Sequence, residues 1–141
     1  MRNLMLGPLG LVLFTGVCWA QSEVHDVSMI QLVANPEKYE GKYVRVKGFL
    51  RMEFEGNGLY LHREDYEKSL YRNGVWVHVA ETEANRAFNM HYVLIEGTFD
   101  SKDKGHMGLW SGAIKDIKRV ALWGADREEK KSSSKAPEAT R

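Results

Sequence analysis

The chain has 141 residues, of which 20 are lysine or arginine, 19 are aspartate or glutamate and one is cysteine, so its formal net charge is +1. This balance provides no strong electrostatic field, and it argues against nucleic acid or an anionic membrane surface as a partner. A single cysteine also excludes a framework of intramolecular disulfides.

The N-terminus has the pattern of a secretory signal peptide. Arg2 precedes an apolar run over 4–17, and Cys18 and Ala20 occupy the −3 and −1 positions of a cleavage site. The run is shorter than the roughly 20 apolar residues of a membrane span. We therefore predict a periplasmic or secreted protein whose mature chain begins at Gln21.

Cys18 allows a second interpretation, as the lipid-modified cysteine of a bacterial lipoprotein. Signals of that class favour a small residue directly before the cysteine, and Val17 fits this preference poorly. Lipidation is therefore kept as the alternative. With cleavage after Ala20 the mature chain has no cysteine, which excludes a thiolate nucleophile and a cysteine-based metal site.

The first element predicted after the signal peptide is a short helix. Asp26 and Ser28 are candidate N-caps, and Pro36 ends the helical spacing of apolar residues after about two turns. The apolar residues at that spacing are Met29, Ile30, Leu32 and Val33.

A long strand is predicted next, because apolar and polar residues alternate over the twelve residues from Tyr43 to Phe54. A period of two over such a length is typical of a half-buried strand, and Gly48 in its middle indicates a bulge or a sharp bend. The turn sequence EGNG at 55–58 and the strand residues at 59–62 complete a predicted β-hairpin.

Three further strands and a second helix follow along the chain. The strands are predicted at 75–80, at 91–99 and within 107–123, and a short helix at 81–90 lies between the third and fourth strands. This order of elements predicts a mainly β fold, namely a five-stranded OB-fold-like Greek-key barrel with an N-terminal helix and a short helix between strands 3 and 4. An SH3-like barrel would lack the second helix, and a β-grasp fold would have a longer one.

The predicted organisation has three parts: a signal peptide over 1–20, an OB-fold-like domain over 21–125 and a disordered tail over 126–141. The tail is charged and rich in serine, and it has no large apolar residue. Such a segment cannot bury enough apolar surface to offset the entropy lost on ordering.

Two stretches of the predicted domain resemble a group of small secreted bacterial proteins with an OB-fold-like barrel, whose function is not established. They are NPEKYEGKYVRVKGFLRMEFEGNGLYLHREDYE at 35–67 and VLIEGTFDSKDKGHMGLWSGAIKDI at 93–117. The resemblance extends from about Val27 to Ile117 and implies a bacterial, periplasmic setting. It carries over no catalytic residue.

The outward face of the second and third predicted strands combines aromatic, imidazole and basic side chains. In OB-folds this face is the usual recognition surface, where rings stack and basic groups meet anions. We therefore predict a platform for a ligand or partner, flanked by Arg45 and Lys47. The alternative is that an aromatic residue of this face packs beneath a helix or the N-terminal segment. The predicted platform residues are Arg51, Tyr60, His62, Trp76 and His78.

No catalytic residue, metal site or cofactor is predicted. The histidines have no His-x-x-x-His, His-x-His or Glu-x-x-His spacing, whereas zinc requires three or four converging ligands. The run HREDY at 62–66 contains the carboxylates and arginine that a metal-dependent nuclease would need, but such groups are ordinary in a solvated loop. The serines at 69, 101 and 111 lie in no nucleophile-elbow context.

These features predict a periplasmic or secreted non-enzymatic binding module that holds a protein partner or an envelope polymer fragment on its aromatic and basic face. Two alternatives stay open. One is a periplasmic inhibitor or immunity-type protein that blocks an enzyme with the loop at 63–74 or 100–106. The other is a metal-dependent hydrolase. Neither nucleic-acid binding nor stable membrane insertion is expected.

Overall fold

The computed structural model describes residues 23–124 and contains a closed five-strand barrel, one additional strand and few short helices. A mainly β architecture with a β-barrel is thereby confirmed. The predicted signal peptide and the predicted tail from 126 lie outside the described residues. The strands are β1 (His25–Asp26), β2 (Tyr43–Arg51), β3 (Gly58–Tyr60), β4 (Gly74–Val77), β5 (His91–Asp100) and β6 (Ala113–Leu122).

Short helices lie between these strands. The α-helices are α1 (Met29–Ala34), α2 (Arg63–Glu67) and α3 (Glu83–Arg86), and 3₁₀ helices lie at Pro36–Tyr39, Tyr71–Asn73 and His106–Gly108. Within residues 23–124, no helix is long and apolar enough to cross a membrane.

The bounds of α1 follow from the residues at its two ends. Ser28 Oγ accepts a hydrogen bond from the Gln31 backbone N–H at 3.1 Å, and the Gln31 side chain accepts one from the Ser28 N–H at 3.0 Å. This capping box satisfies N–H groups that the start of a helix leaves unpaired. Pro36 disfavours helical geometry at Asn35, so α1 ends at Ala34.

The barrel closes because β2 pairs with a neighbour on each side. It runs antiparallel to β5 along 43–50 and antiparallel to β3 along 49–51. Strand β3 pairs with β4, β4 runs parallel to β6, and β6 runs antiparallel to β5. The ring of strands is therefore β2-β3-β4-β6-β5. Strand β1 pairs in parallel with the N-terminal part of β2, at Val44 and Arg45.

Gly48 lies close to the point where β2 begins to pair with both neighbours. The register between β2 and β5 continues unbroken through Gly48, so the predicted bulge does not occur there. A Cβ atom at this position would lie 2.6 Å from the Tyr60 carbonyl oxygen and 2.9 Å from Leu59 Cγ. The glycine therefore allows β3 to approach closely. The register shift of the sheet falls instead at Gly97, between β5 and β6.

The segments around β3 and β6 differ in extent from the sequence prediction. Strand β3 ends at Tyr60, and the residues after it form α2 and a 3₁₀ helix. Asp65 stabilises this arrangement, because its carboxylate accepts hydrogen bonds from the His62 N–H at 2.9 Å and from the Asn73 side chain at 2.7 Å. Strand β6 begins only at Ala113, which leaves a longer loop before it.

The interior of the barrel holds the main hydrophobic core. Inward side chains of the strands meet Met29 and Leu32 of α1 there, and full burial of one such side chain contributes about 1.5–3 kcal/mol. Alternate residues of the same strands point outward, and the candidate site lies among them. The strand residues in the core are Val44, Val46, Leu50, Leu59, Val75, Val77, Val93, Ile95, Phe99 and Ile114.

Candidate functional site

The candidate site lies on the outer face of β2, β3 and β4. The strand register sets Phe49 opposite Tyr60, Tyr60 opposite Gly74, and Gly58 opposite Trp76. Their neighbours along the strands belong to the interior core, so all five of these residues face outward. Strand alternation therefore brings Tyr60 and Trp76 to one face of the sheet.

Aromatic rings cover much of this outer face. Their centroids lie between 4.9 and 6.4 Å apart in successive pairs, a separation at which tilted and edge-to-face rings attract. The strands supply some of the rings, and α2 and the loop between β5 and β6 supply others. We call this set the outer aromatic layer: Phe49, Tyr60, Tyr66, Tyr71, Trp76, Tyr92 and Trp110.

Tyr60 is fully buried within this layer, which corrects the expectation that it belongs to an open face. Its ring and the Trp110 indole lie over Gly58, where a Cβ atom would be 2.6 Å from Tyr60 Cε2 and 2.9 Å from Trp110 Nε1. Within residues 23–124, neither Tyr60 Oη nor Trp110 Nε1 has a hydrogen-bond partner. Burial raises the pKa of Tyr60, although the nearby Trp110 N–H opposes the shift.

Arg51 faces outward as well, but its guanidinium group is engaged within the protein. Its Nε donates to Tyr66 Oη at 2.9 Å, and its Nη1 donates to the Met52 carbonyl oxygen at 2.9 Å. Its Nη2 lies 3.0 Å from Glu53 Oε2, and the guanidinium lies 5.3 Å from the centre of the Tyr66 ring. Arg51 therefore holds α2 against β2 instead of offering a free charge to a ligand.

His62 and the predicted basic flank do not join Trp76 either. His62 is exposed and precedes α2 as its N-cap residue. Arg45 Nε lies 2.7 Å from Glu96 Oε1, and Lys47 Nζ lies 4.6 Å from the centre of the Trp123 ring. These contacts engage both basic side chains along the β2–β5 side of the barrel.

Trp76 and His78 are brought together at an open cleft of about 270 Å³. Their ring centroids lie 6.3 Å apart. The turn between β2 and β3 forms one side of the cleft, and the loop between β5 and β6 forms another. We call it the Trp76 cleft, and its lining residues are Glu55, Trp76, His78, Asp103, Gly105 and His106.

A hydrogen-bonded pair lies at the edge of the Trp76 cleft. His78 Nε2 is 2.7 Å from Asp103 Oδ2, and the Gly105 N–H donates to Asp103 Oδ1 at 2.9 Å. Partial burial acts to raise the pKa of Asp103, but these two hydrogen bonds outweigh burial, and the pKa is lowered. Asp103 is therefore ionised at neutral pH and orients both His78 and the loop.

Asp100 holds the start of that loop in place. Its carboxylate accepts hydrogen bonds from Lys115 Nζ at 2.7 Å and from the N–H groups of Lys102 and Asp103 at 2.9 and 3.1 Å. The lysine and the two backbone groups lower the pKa of Asp100 from its ordinary 3.8 to about 2. These contacts fix the wall of the cleft that carries Asp103.

Gly105 allows the loop to pack directly on Trp76. It has a φ of +64°, and a Cβ atom there would lie 2.7 Å from Cδ2 and Cε3 of the indole. The left-handed backbone and the close contact both favour glycine at this position. Trp110 packs against the same indole edge-to-face, with the centroids 4.9 Å apart. Two neighbours therefore fix the orientation of Trp76.

A second pair of an imidazole and a carboxylate borders the cleft. His106 Nε2 lies 3.7 Å from Glu55 Oε2, too far for a hydrogen bond, and the two side chains are 43% and 56% exposed. Glu55 and Met107 adopt left-handed φ angles of 55° and 54°. Such conformations are uncommon outside glycine and recur at functional sites. A ligand in the cleft can reach both side chains of this pair.

The geometry around the cleft provides pairs of polar groups and no larger constellation. Within residues 23–124, no three histidine, cysteine or acidic side chains are grouped so that they could hold a metal ion. The six lining residues also include no serine, threonine or cysteine, so His78 has no hydroxyl or thiol beside it in the cleft to activate.

Sequence reasoning named the loop at 100–106 as a possible inhibitory loop but did not place Glu55, Asp103 or Gly105 beside Trp76. The last two occur in the run DSKDKGH, which resembles an ordinary charged loop. A usable signal was the spacing of Asp100, Asp103 and Gly105, because aspartate side chains often accept hydrogen bonds from N–H groups two or three residues later. This spacing indicates an ordered turn.

Compared with protein-family models, curated proteins and solved structures, the chain matches none of them. The resemblance to small secreted bacterial proteins therefore stays a prediction.

Proposed function

We propose that the protein is a non-enzymatic binding module that holds its ligand in the Trp76 cleft. The observation that carries this proposal is the half-buried Trp76 indole in an open cleft, beside a His78–Asp103 pair joined at 2.7 Å. An apolar ring surface with a few oriented polar groups is the usual composition of a ligand site. The ligand class expected from the sequence is a protein partner or an envelope polymer fragment.

The proposal includes an OB-fold-like Greek-key topology for the barrel. The strand order β2-β3-β4-β6-β5, with β4 parallel to β6, supports this assignment. In an OB-fold the loop between the first two barrel strands and the loop between the last two border the recognition face. The corresponding loops here carry Glu55 and Asp103, which both line the Trp76 cleft.

The proposed site keeps only part of the platform predicted from the sequence, and its charged groups are acidic where the prediction had basic ones. Trp76 and His78 stay in the proposed site, whereas Tyr60 is buried and Arg51 has internal partners. The proposed site is therefore aromatic and carboxylate-rich in place of aromatic and basic. A hydrolytic function has less support, because the cleft offers neither a converging metal-ligand set nor a nucleophile beside His78.

The test is an NMR titration of the ¹⁵N-labelled full chain with soluble envelope polymer fragments and with peptides. We expect ligand-dependent shifts at the Trp76 indole N–H, at His78 and at Gly105, and their loss in Trp76→Ala. Trp123→Ala is the matched control, because Trp123 is 47% exposed and lies outside the cleft. Binding that is unchanged in Trp76→Ala would contradict the proposal.

A second candidate is the inhibitor or immunity-type protein, and one observation favours it. Phe54 and Met107 lie outside the predicted inhibitory loops at 63–74 and 100–106, and they are 88% and 81% exposed in the two segments that border the cleft. Exposed apolar tips are suited to insertion into a pocket of an enzyme. In that case Phe54→Ser and Met107→Ser would abolish inhibition of the target enzyme, while Trp76→Ala would leave it intact.

A periplasmic or secreted location is part of the same proposal. Its support is the signal-peptide pattern before Gln21. Mass spectrometry of the mature N-terminus tests it. A chain that begins at Gln21 agrees with the proposal, a lipid-modified Cys18 indicates a membrane-anchored form, and an unprocessed chain contradicts both.

A further inference from the structure

We infer that the Trp76 cleft selects an organic cation, that is, a protonated amine, a quaternary ammonium or a guanidinium group. This inference rests on the proposed function, because it assumes that the cleft is the ligand site. It adds the chemical class of the group that enters the cleft.

The charge of the lining is the first argument. The six lining residues include two acids, Glu55 and Asp103, and no lysine or arginine. Asp103 is held ionised by its hydrogen bonds, and the Glu55 side chain is 56% exposed toward solvent. A cleft lined by carboxylates attracts a positive group and repels an anion.

The basic residues near the cleft are turned to other partners. Lys104 Nζ donates to the Ser111 carbonyl oxygen at 2.6 Å, and Lys115 Nζ donates to Asp100 at 2.7 Å. Arg72 Nη1 donates to the Trp110 carbonyl oxygen at 3.2 Å. None of these three side chains therefore pairs with Glu55 or Asp103, whose neighbours in the cleft are the imidazoles of His106 and His78.

The aromatic surface is the second argument. Among the aromatic rings, the face of tryptophan attracts a cation most strongly. Gly105 and Trp110 fix the Trp76 indole from two directions, so Trp76 itself loses little side-chain entropy when a ligand binds. A volume of about 270 Å³ suits one end group of a longer molecule better than several linked sugar units.

The experiment is an NMR titration of the ¹⁵N-labelled full chain with four probes at neutral pH. Agmatine carries a guanidinium and an amine, choline carries a quaternary ammonium, N-acetylglucosamine is neutral, and acetate is an anion. We expect agmatine and choline to shift the Trp76 indole N–H and the Gly105 amide. Acetate and the sugar should leave these signals unchanged.

Variants separate charge from packing. Glu55→Gln is expected to weaken cation binding about three- to tenfold without unfolding the protein, because the Glu55 side chain is largely exposed. Glu64→Gln makes the same chemical change on α2, outside the lining residues, and should have no effect. Trp76→Ala should abolish the shifts.

The outcomes distinguish this inference from the proposed function. Binding of the sugar or of acetate to the same residues overturns the cation inference and leaves the binding function standing. If neither agmatine nor choline shifts the cleft signals at about 10 mM, tenfold above a dissociation constant of about 1 mM, the inference also fails. If envelope ligands bind only outside the Trp76 cleft, both the cation inference and the proposed function are wrong.

Discussion

At the α2 end of the outer aromatic layer, Arg51 donates to Tyr66 and Met52 and pairs with Glu53, so every strong polar contact is made inside the protein. At the Trp76 end, His78 pairs with Asp103 beside an open cleft. Both ends occupy the outward face of the same strands. The difference shows that the covering segments, and not the strands, decide which part of such a face becomes accessible.

The largest effect is expected from removing Trp110, which packs edge-to-face on Trp76. Trp110 is 2% exposed and packs on both Trp76 and Tyr71. We expect Trp110→Ala to lower the free energy of unfolding by about 3–5 kcal/mol, measured by urea denaturation. Trp123→Ala removes an indole that is 47% exposed and should cost much less. Equal losses in the two variants would contradict a packed layer.

A smaller effect is expected at the wall of the Trp76 cleft. Gly105→Ala adds a Cβ atom 2.7 Å from the Trp76 ring at a φ of +64°, so overpacking and backbone strain should together cost about 1–3 kcal/mol and shift the Trp76 indole signal. Gly108→Ala is the matched control, because Gly108 has a φ of +69° but its nearest contact is Lys104 Cβ at 3.9 Å. If both variants behave alike, the contact with Trp76 is not what favours glycine.

The loop of the cleft can be tested through its acid sensitivity. The pKa of Asp100 is lowered to about 2 in the folded protein, so its ionised form stabilises the fold at pH values above its ordinary 3.8. This contribution is lost as the pH falls from about 4 toward 2. Asp100→Asn should therefore be less stable than the original chain at pH 6, and the difference should close over that acidic range in urea denaturation.

Asp26→Asn provides the control for that pH experiment. Asp26 lies at the barrel edge, its side chain is 58% exposed, and its contact with Lys47 is 3.5 Å long. Exposed pairs of this kind contribute little to stability. A pH-dependent difference as large in Asp26→Asn as in Asp100→Asn would show that the loop network around Asp100 is not responsible.

The same contrast explains how much of the molecule was predictable. The alternation over 43–51 predicts β2, its inward core residues and its outward face, because a period of two leaves few other structures. The predicted strand extended to Phe54, but β2 ends at Arg51 and Phe54 is exposed in the turn that follows. The burial of Tyr60 was not predictable in this way. It depends on α2, which Asp65 stabilises through His62 and Asn73, and on Trp110, which is distant in sequence.

The candidate site was predictable to the same limited degree. Trp76 and His78 follow from strand alternation, and both line the cleft. Asp103 and Gly105 reach Trp76 only because the loop between β5 and β6 folds back over β4, and no periodic pattern encodes that contact. Local alternation therefore predicts which residues face outward, whereas contacts between distant segments decide which of them a ligand can reach.

The smallest predicted effect compares two tyrosine hydroxyl groups of the same layer. Tyr66 Oη accepts a hydrogen bond from Arg51 Nε at 2.9 Å, so Tyr66→Phe should cost about 0.5–1.5 kcal/mol of stability. Tyr60 Oη is buried and has no partner among residues 23–124, so Tyr60→Phe removes a polar group that gains nothing from burial. We expect Tyr60→Phe to be neutral or stabilising by up to about 1 kcal/mol in urea denaturation.

The sign of the difference between these two variants decides the role of Tyr60. If Tyr60→Phe destabilises the protein as much as Tyr66→Phe, the Tyr60 hydroxyl makes a hydrogen bond in solution, and the adjacent Trp110 N–H is the group positioned to provide it. If Tyr60→Phe is neutral, Tyr60 contributes through its ring alone. The layer then divides into a packed centre at Tyr60, an internally paired end at Arg51 and a ligand-accessible end at Trp76.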